Sequence, residues 1–288
     1  MRHPEIFVQR EGMRLCSDAF GDPSHTPILL IMGAMASMMW WEDAFCEQLA
    51  LRGMFVLRFD HRDTGKSTCF DGPPPPYSVL DMADDALHVL DAYHVHSAHV
   101  AGMSLGGMIA QLLAMREPDR IRSITMIASS VWDDRPDLPP IDARVLDYHA
   151  SAAALDWTSR DEVLRYLVEG RRVLLGSGRA FDETAAAELA AMEWNRAVAL
   201  PSMFNHALLT GGEEYYGQCS RLTLPALIIH GSDDAVLPWP HALALSETLP
   251  HATLLRLEGA GHELHHNDWP LIVDAIAAQC LTQQRTDH

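Results

Sequence analysis

Pro27-Ile28-Leu29-Leu30-Ile31-Met32-Gly33 is an unbroken apolar run with no polar alternation. Strands of this type are buried on both faces, as in parallel sheets covered by helices. Phe55–Asp60, Ala98–Gly102, Ile121–Ala128, Pro225–His230 and Ala252–Leu257 are further short strand candidates. Helical spacing lies between the early ones. Trp41–Arg52 stops at Gly53, Ser78–Tyr93 carries Leu80, Ala83, Leu87 and Leu90 on one side, and Leu105–Arg116 ends before Glu117-Pro118. Parallel strands need crossover connections, so this alternation predicts an α/β fold whose mostly parallel central sheet is flanked by helices. Glu5–Arg10 and Met13–Phe20 around Glu11-Gly12 predict a leading β-hairpin.

The rhythm breaks at Val131. From about Trp132 to Arg221 the chain is rich in Ala, Leu, Glu and Arg, and Asp161–Leu174 and Glu183–Ala199 are its clearest helices. The sheet pattern returns at Pro225 and the chain closes with a helix over Trp269–Leu281. A helical insertion after the sixth strand, residues 131–221, therefore divides a core made of residues 1–130 and 222–288.

Charge and composition exclude some functions. The 288 residues carry 21 Lys and Arg against 39 Asp and Glu, a formal net charge of −18. Phosphate-rich partners would repel such a chain, so neither nucleic acid nor an anionic membrane surface is expected. No run reaches the ~20 apolar residues that span a bilayer, and Met1–Leu15 reads as strand rather than signal peptide. The 5 cysteines are odd in number and form no C-x-x-C pair, which fits reduced thiols in the cytoplasm.

The chemistry is concentrated at three strand ends. Gly102-Met103-Ser104-Leu105-Gly106 joins a buried strand to a helix, where flanking glycines permit the tight turn that lifts a serine hydroxyl clear of the backbone. The helix starting at Leu105 also aims its amides and positive dipole end at that point. Serine is a weak nucleophile without a base. Leu257-Glu258-Gly259-Ala260-Gly261-His262 supplies one on a glycine-rich loop late in the chain, where the glycines leave room around His262. The acid that orients it belongs between them, and Asp233 and Asp234 both follow the returning strand. Two backbone amides are expected to hold an oxyanion: Leu105, after the nucleophile, and Ala34, after the first core strand. His262, His265 and His266 have no accompanying cluster of Cys, Asp or Glu, so no metal is assigned to them.

Together these residues resemble the α/β-hydrolase superfamily over almost the whole chain outside the insertion. The family's Gly-x-x-Asp-x-x-x-Pro loop falls on Gly231, Asp234 and Pro238, which favours Asp234, and its Gly-x-Gly-His falls on Gly259, Gly261 and His262. The resemblance implies that residues 131–221 cover the C-terminal edge of the sheet as a lid. Two segments depart from the common pattern. Met32-Gly33 stands where most relatives have His-Gly, and Asp60-His61-Arg62-Asp63-Thr64-Gly65-Lys66-Ser67 replaces the usual Asp-x-Arg-Gly-x-Gly-x-Ser. Both variants are similar to the aclacinomycin methylesterase subgroup, which implies a Ser104–His262–Asp234 carboxylesterase. Its expected partner is a small-molecule ester, with no cofactor.

Met35, Met103 and Trp132 are candidate substrate contacts. The crowd of Met38, Met39, Trp40 and Trp41 is either a flexible apolar wall or ordinary core. A carbon–carbon hydrolase acting on a dicarbonyl would use the same triad, with a basic lid residue such as Arg171 or Arg172 gripping a carboxylate. A non-catalytic binding protein on the same fold is the other alternative.

Overall fold

A computed structural model describes residues 1–10 and 12–284, with side chains through Leu281; Glu11, in the expected hairpin turn, lies outside the described residues. Among the described residues, eight strands form one sheet: β1 (Ile6–Arg10), β2 (Met13–Phe20), β3 (Thr26–Ile31), β4 (Met54–Phe59), β5 (Ala98–Met103), β6 (Ile121–Ile127), β7 (Ala226–Gly231) and β8 (Ala252–Leu257). Their spatial order is β1-β2-β4-β3-β5-β6-β7-β8. The β1–β2 and β2–β4 pairs are antiparallel, and the pairs from β4 through β8 are parallel. The chain leaves β3 for β4 on one side and returns to β5 on the other. Open sheets bind ligands at such a switch, beyond the C-terminal strand ends.

The apolar strands separate two cores. On one face α2 (Val79–Ala92), α3 (Leu105–Arg116) and α7 (Pro240–Thr248) bury residues such as Val89, Leu112 and Leu245 against Leu29 and Val100. On the other, α1 (Asp43–Leu51) and α8 (Trp269–Gln284) bury Phe45, Leu49 and Ile272 against Leu30 and Ala101. Alternate residues of one strand thus enter opposite cores, which is why β3 reads as continuously apolar. The Ser78 hydroxyl accepts from the Asp81 amide while the Asp81 carboxylate accepts from the Ser78 amide, starting α2 with a capping box. A charge sits inside this sheet. Arg58 on β4 is fully buried and grips Asp18 on β2 through two bonds of 2.7 and 2.9 Å, with Asp43 at 2.6 Å. Removing one partner of such a pair typically costs about 3–5 kcal/mol, because it strands the other charge.

Between β6 and β7 lie α4 (Ala143–Ser151), α5 (Arg160–Leu174), α6 (Glu183–Arg196) and a 3-10 segment over Leu200–Leu208. α4 and α7 are absent from the sequence reading. Each is only nine residues long, and α7 starts directly after Pro238-Trp239, with Pro240 at its first position. α6 ends at Arg196 rather than Ala199, where the Ala197 amide turns back to the Glu193 carbonyl. Polar bonds fix α6 to the sheet. Arg196 reaches Asp60 at 2.9 Å and Glu5 at 3.0 Å, the Val198 amide bonds the Gly65 carbonyl, and the Ser37 hydroxyl donates to Glu193 at 2.5 Å. Among the described residues, no helix is long and apolar enough to cross a membrane.

Burial pushes the Glu193 carboxyl up from its ordinary 4.5 to about 7, against the opposing Ser37 bond. Between these values the unfolded chain is ionised and the folded one still protonated, so this group withdraws stability as pH rises and stops doing so above about 7. Glu193→Gln keeps an acceptor for Ser37 without the ionisation. Urea unfolding should show the variant gaining roughly 3 kcal/mol on the parent between pH 4 and pH 8. An unchanged difference across that range would mean that Glu193 ionises as readily folded as unfolded.

Candidate active site

Ser104 ends β5 and caps α3 with φ 51° and ψ −119°, a left-handed conformation that β-strand or helix residues avoid. Its amide still bonds the Ile127 carbonyl at 2.9 Å, so the β5–β6 ladder holds the turn up to its tip. The Ser129 hydroxyl secures the Ser104 carbonyl at 2.8 Å. The glycines are there for contact. A Cβ on Gly102 would lie 2.1 Å from the Gly106 carbonyl oxygen, and one on Gly106 would lie 2.1 Å from that of Ile31. Only bare backbone lets α3 start this close to β3. Gly33, on the neighbouring loop, would place a Cβ 3.2 Å from that of Ser104.

His262 follows β8 and is 6% exposed; its Nδ1 lies 2.8 Å from Asp234 Oδ2. Asp234 is equally buried, and its Oδ1 accepts the Val236 and Leu237 amides at 2.8 Å each. Burial works to raise this carboxyl, but His262, His230 and the Leu237 amide together hold it below the ordinary range. The charged acceptor leaves Nδ1 of His262 as the protonated nitrogen and Nε2 with its lone pair. Asp233 is turned elsewhere, accepting from the Ser177 and Ser232 hydroxyls. The glycines before His262 make room for the insertion rather than for the imidazole. A Cβ on Gly261 would lie 2.2 Å from the Leu174 carbonyl oxygen, and the His262 amide donates to that same carbonyl at 2.9 Å.

Ser104 and His262 line one cavity of about 440 Å³, together with Gly33, Ala34, Met35 and Met103. No hydrogen bond joins Ser104 Oγ to His262 among the described residues, a common state of catalytic pairs without substrate. The Ala34 and Leu105 amides likewise make no backbone bond among the described residues. Leu105 opens α3, where the first amides of a helix have no partner within it. The far wall comes from the insertion: Ile141, Leu146, Tyr148, Tyr166, Leu167 and Phe204.

The cavity is mostly apolar, and among the described residues no Lys or Arg lines it. Tyr166 and His149 are among the lining residues, but Tyr166 Oη and His149 Nδ1 are themselves buried behind the wall, and His149 Nδ1 has no hydrogen-bond partner among the described residues. Sequence patterning did not single out these wall residues, because it does not tell which face of α4 or α5 turns inward.

Some expected contacts lie elsewhere. Trp132 is not in the cavity: its indole donates to the Gly212 carbonyl at 2.8 Å and packs near Tyr216. This residue, at the start of the insertion, is drawn toward α3 instead, its amide donating to the Gln111 side chain. Of the Met–Trp crowd only Trp40 lines the cavity, while Met38, Met39 and Trp41 are buried core. Arg171 stacks over Trp40 and faces a neighbouring recess beside Glu42, and Arg172 pairs with Glu183. His265 bonds the Ala180 carbonyl, and His266 approaches Asp182 at 3.9 Å.

A family profile described as the alpha/beta hydrolase fold matches residues 26–268. The chain belongs to this family. It is 34% identical over 277 residues to rhodomycin D methylesterase DauP of Streptomyces sp. (strain C5), covering 91% of this chain and 93% of that protein. It is 35% identical over 278 residues to rhodomycin D methylesterase DnrP of Streptomyces peucetius, with the same coverage. The structure superposes on a hydrolase from Pseudomonas aeruginosa with a TM-score of 0.73 at 25% identity, covering 96% of this chain and 98% of that one.

The closeness of α3 to β3 is testable without substrate. Gly106→Ala must push a methyl group into the Ile31 carbonyl, a backbone atom that has no flexible end to move. Overpacking of this sort costs about 1–3 kcal/mol and occasionally more. Chemical unfolding of the variant should show a loss at the upper end or beyond. A loss under about 0.5 kcal/mol would mean that the helix start tolerates displacement.

Proposed function

We propose that this protein is a serine carboxylesterase that hydrolyses small or medium-sized apolar or aromatic esters, methyl esters among them. The observation that carries the reading is a serine at a strained strand-to-helix turn sharing an apolar cavity with a histidine anchored on a buried aspartate. The methylesterase relatives support the ester substrate, and the cavity volume suits a ligand of that size.

In this mechanism the Ser104 hydroxyl attacks the ester carbonyl and gives its proton to His262 Nε2. Asp234 stabilises the imidazolium, and the Ala34 and Leu105 amides hold the oxyanion. His262 then protonates the leaving alcohol. Water, deprotonated by the same histidine, attacks the acyl-enzyme and releases the acid and Ser104. Residues 131–221 act as a lid: their apolar wall keeps the site dry, which strengthens each electrostatic contact with the transition state. Met35 and Met103 contact the acyl group. A dicarbonyl substrate with a free carboxylate is disfavoured, because among the described residues neither Arg171 nor any other Lys or Arg lines the cavity.

Fluorophosphonate labelling with peptide mapping, run beside p-nitrophenyl butyrate hydrolysis, tests this directly. The adduct should map to Ser104, and Ser104→Ala should abolish both adduct and turnover. Asp234→Asn should keep the fold and lower kcat on the order of 10⁴-fold by presenting the wrong tautomer. Undiminished turnover in Ser104→Ala would overturn the assignment. A labelled parent that turns over no ester would point to a binding protein.

A further inference from the structure

The Met32–Met35 loop carries the proposed oxyanion donor Ala34, yet it is a short irregular turn with a left-handed residue, Met35 at φ 64°. A non-glycine residue held there is strained, and such strain persists only where surrounding contacts over-determine it. Two buried histidines supply those contacts. His206, in the 3-10 segment of the insertion, accepts the Met35 amide on Nδ1 at 2.9 Å. Its Nε2 lies 2.7 Å from the Arg62 carbonyl. An amide can only donate and a carbonyl only accept, so His206 is neutral with its proton on Nε2. His61 lies 2.9 Å through Nε2 from the Met32 carbonyl, at the other end of the loop. The two rings meet edge to face, with centroids 5.9 Å apart. Burial pushes both imidazoles down to about 4, so each stays neutral at ordinary pH.

The segment bearing His206 is itself fastened to the Asp60–Ser67 loop. The Asn205 amide group donates to Asp63 Oδ2 at 2.9 Å, and the Ser202 hydroxyl bonds the Asp63 carbonyl at 3.1 Å. Ala34 thus hangs between two tethered neighbours, Met32 and Met35. One tether comes from the loop after β4 and the other from the insertion.

We propose that His206, with His61, is a positioning residue of the reaction: by holding the Met35 amide it sets the direction of the Ala34 N–H toward the oxyanion. This rests on the serine-esterase reading above. The insertion is then part of the transition-state machinery as well as a cover over the cavity. His61 has a role too, since its imidazole ties down the carbonyl of Met32, the residue that stands in place of the common histidine.

The test compares His206→Leu, which removes the acceptor, with His206→Asn, whose Oδ1 can occupy the place of Nδ1. Loss of an oxyanion donor typically lowers turnover about 10²–10³-fold. His206→Leu should therefore lower kcat for p-nitrophenyl butyrate by about 10²-fold with KM within about threefold. A trifluoromethyl ketone, which forms the tetrahedral adduct, should lose affinity by a similar factor. His206→Asn should recover at least tenfold of both losses. Near-parental kcat in a folded His206→Leu would overturn the proposal, as would equal losses in Leu and Asn, which indicate packing alone. If His206→Leu does not fold, the Asn variant and His61→Phe decide by the same kcat and inhibitor readouts, parental values in both overturning it. A parent that forms no adduct at Ser104 refutes the esterase reading instead, before either variant is compared.

Discussion

The missing side chains at Gly102 and Gly106 fix the spacing on which the rest of this molecule depends. A Cβ at either position would stand 2.1 Å from a backbone carbonyl oxygen, so no rotamer change can relieve it. Because α3 starts in contact with β3, the chain at Ser104 has no space for an extended exit from β5. It takes the left-handed turn instead. That turn brings the hydroxyl, the free first amides of α3 and the Gly33–Ala34 loop to one side of the sheet. The strain at Ser104 is held by ordinary forces: a ladder bond to Ile127, a hydroxyl bond from Ser129 and two apolar cores that close behind it.

What the sequence makes legible follows from this. Ser104, Asp234 and His262 sit at the ends of β5, β7 and β8, where a strand's apolar run and its glycine punctuation mark the boundary in one dimension. Even the choice between Asp233 and Asp234 has a physical basis. Asp234 is the one whose carboxylate receives two amides of its own loop and stays buried, while Asp233 faces the Ser177 hydroxyl. The cavity wall was not legible in the same way. Tyr148, His149 and Tyr166 lie on helices with mixed composition, and their inward direction is set by packing of α4 and α5 against each other. Trp132 misled for a related reason: its place next to β6 suggested the cavity, but hydrogen bonds to Gln111 and Gly212 turn it to the other side. The short α7 was missed because nine residues between prolines and a strand carry too few turns for a clear period.

The glycines around His262 show how one residue type serves different ends. Gly33, Gly102 and Gly106 bring backbone segments of the core together. Gly259 and Gly261 instead admit the chain at Leu174–Gly178, so the loop that carries His262 is packed against the insertion. A carbonyl of α5 accepts the His262 amide directly. His262 and the insertion are therefore not independent parts: a displacement of the C-terminal end of α5 moves the backbone of His262.

The same coupling recurs on the opposite side of the cavity, with different chemistry. There α6 and the 3-10 segment are joined to the core through buried polar groups: Arg196 with Asp60, Glu193 with Ser37, Asn205 with Asp63 and His206 with Met35. Apolar contact alone would allow these elements to slide, since dispersion has little directional preference. Hydrogen bonds to buried partners do not, because each lost bond leaves an unsatisfied group at about 1–3 kcal/mol. The polar side of the insertion thus fixes geometry next to the proposed oxyanion donor, where small errors are expensive. The apolar side, formed by α4 and α5, faces the cavity with side chains such as Leu146, Leu167 and the stacked Tyr148–Tyr166 pair. Directional bonding next to Ala34 and shape-tolerant packing along the cavity let one inserted segment meet two requirements.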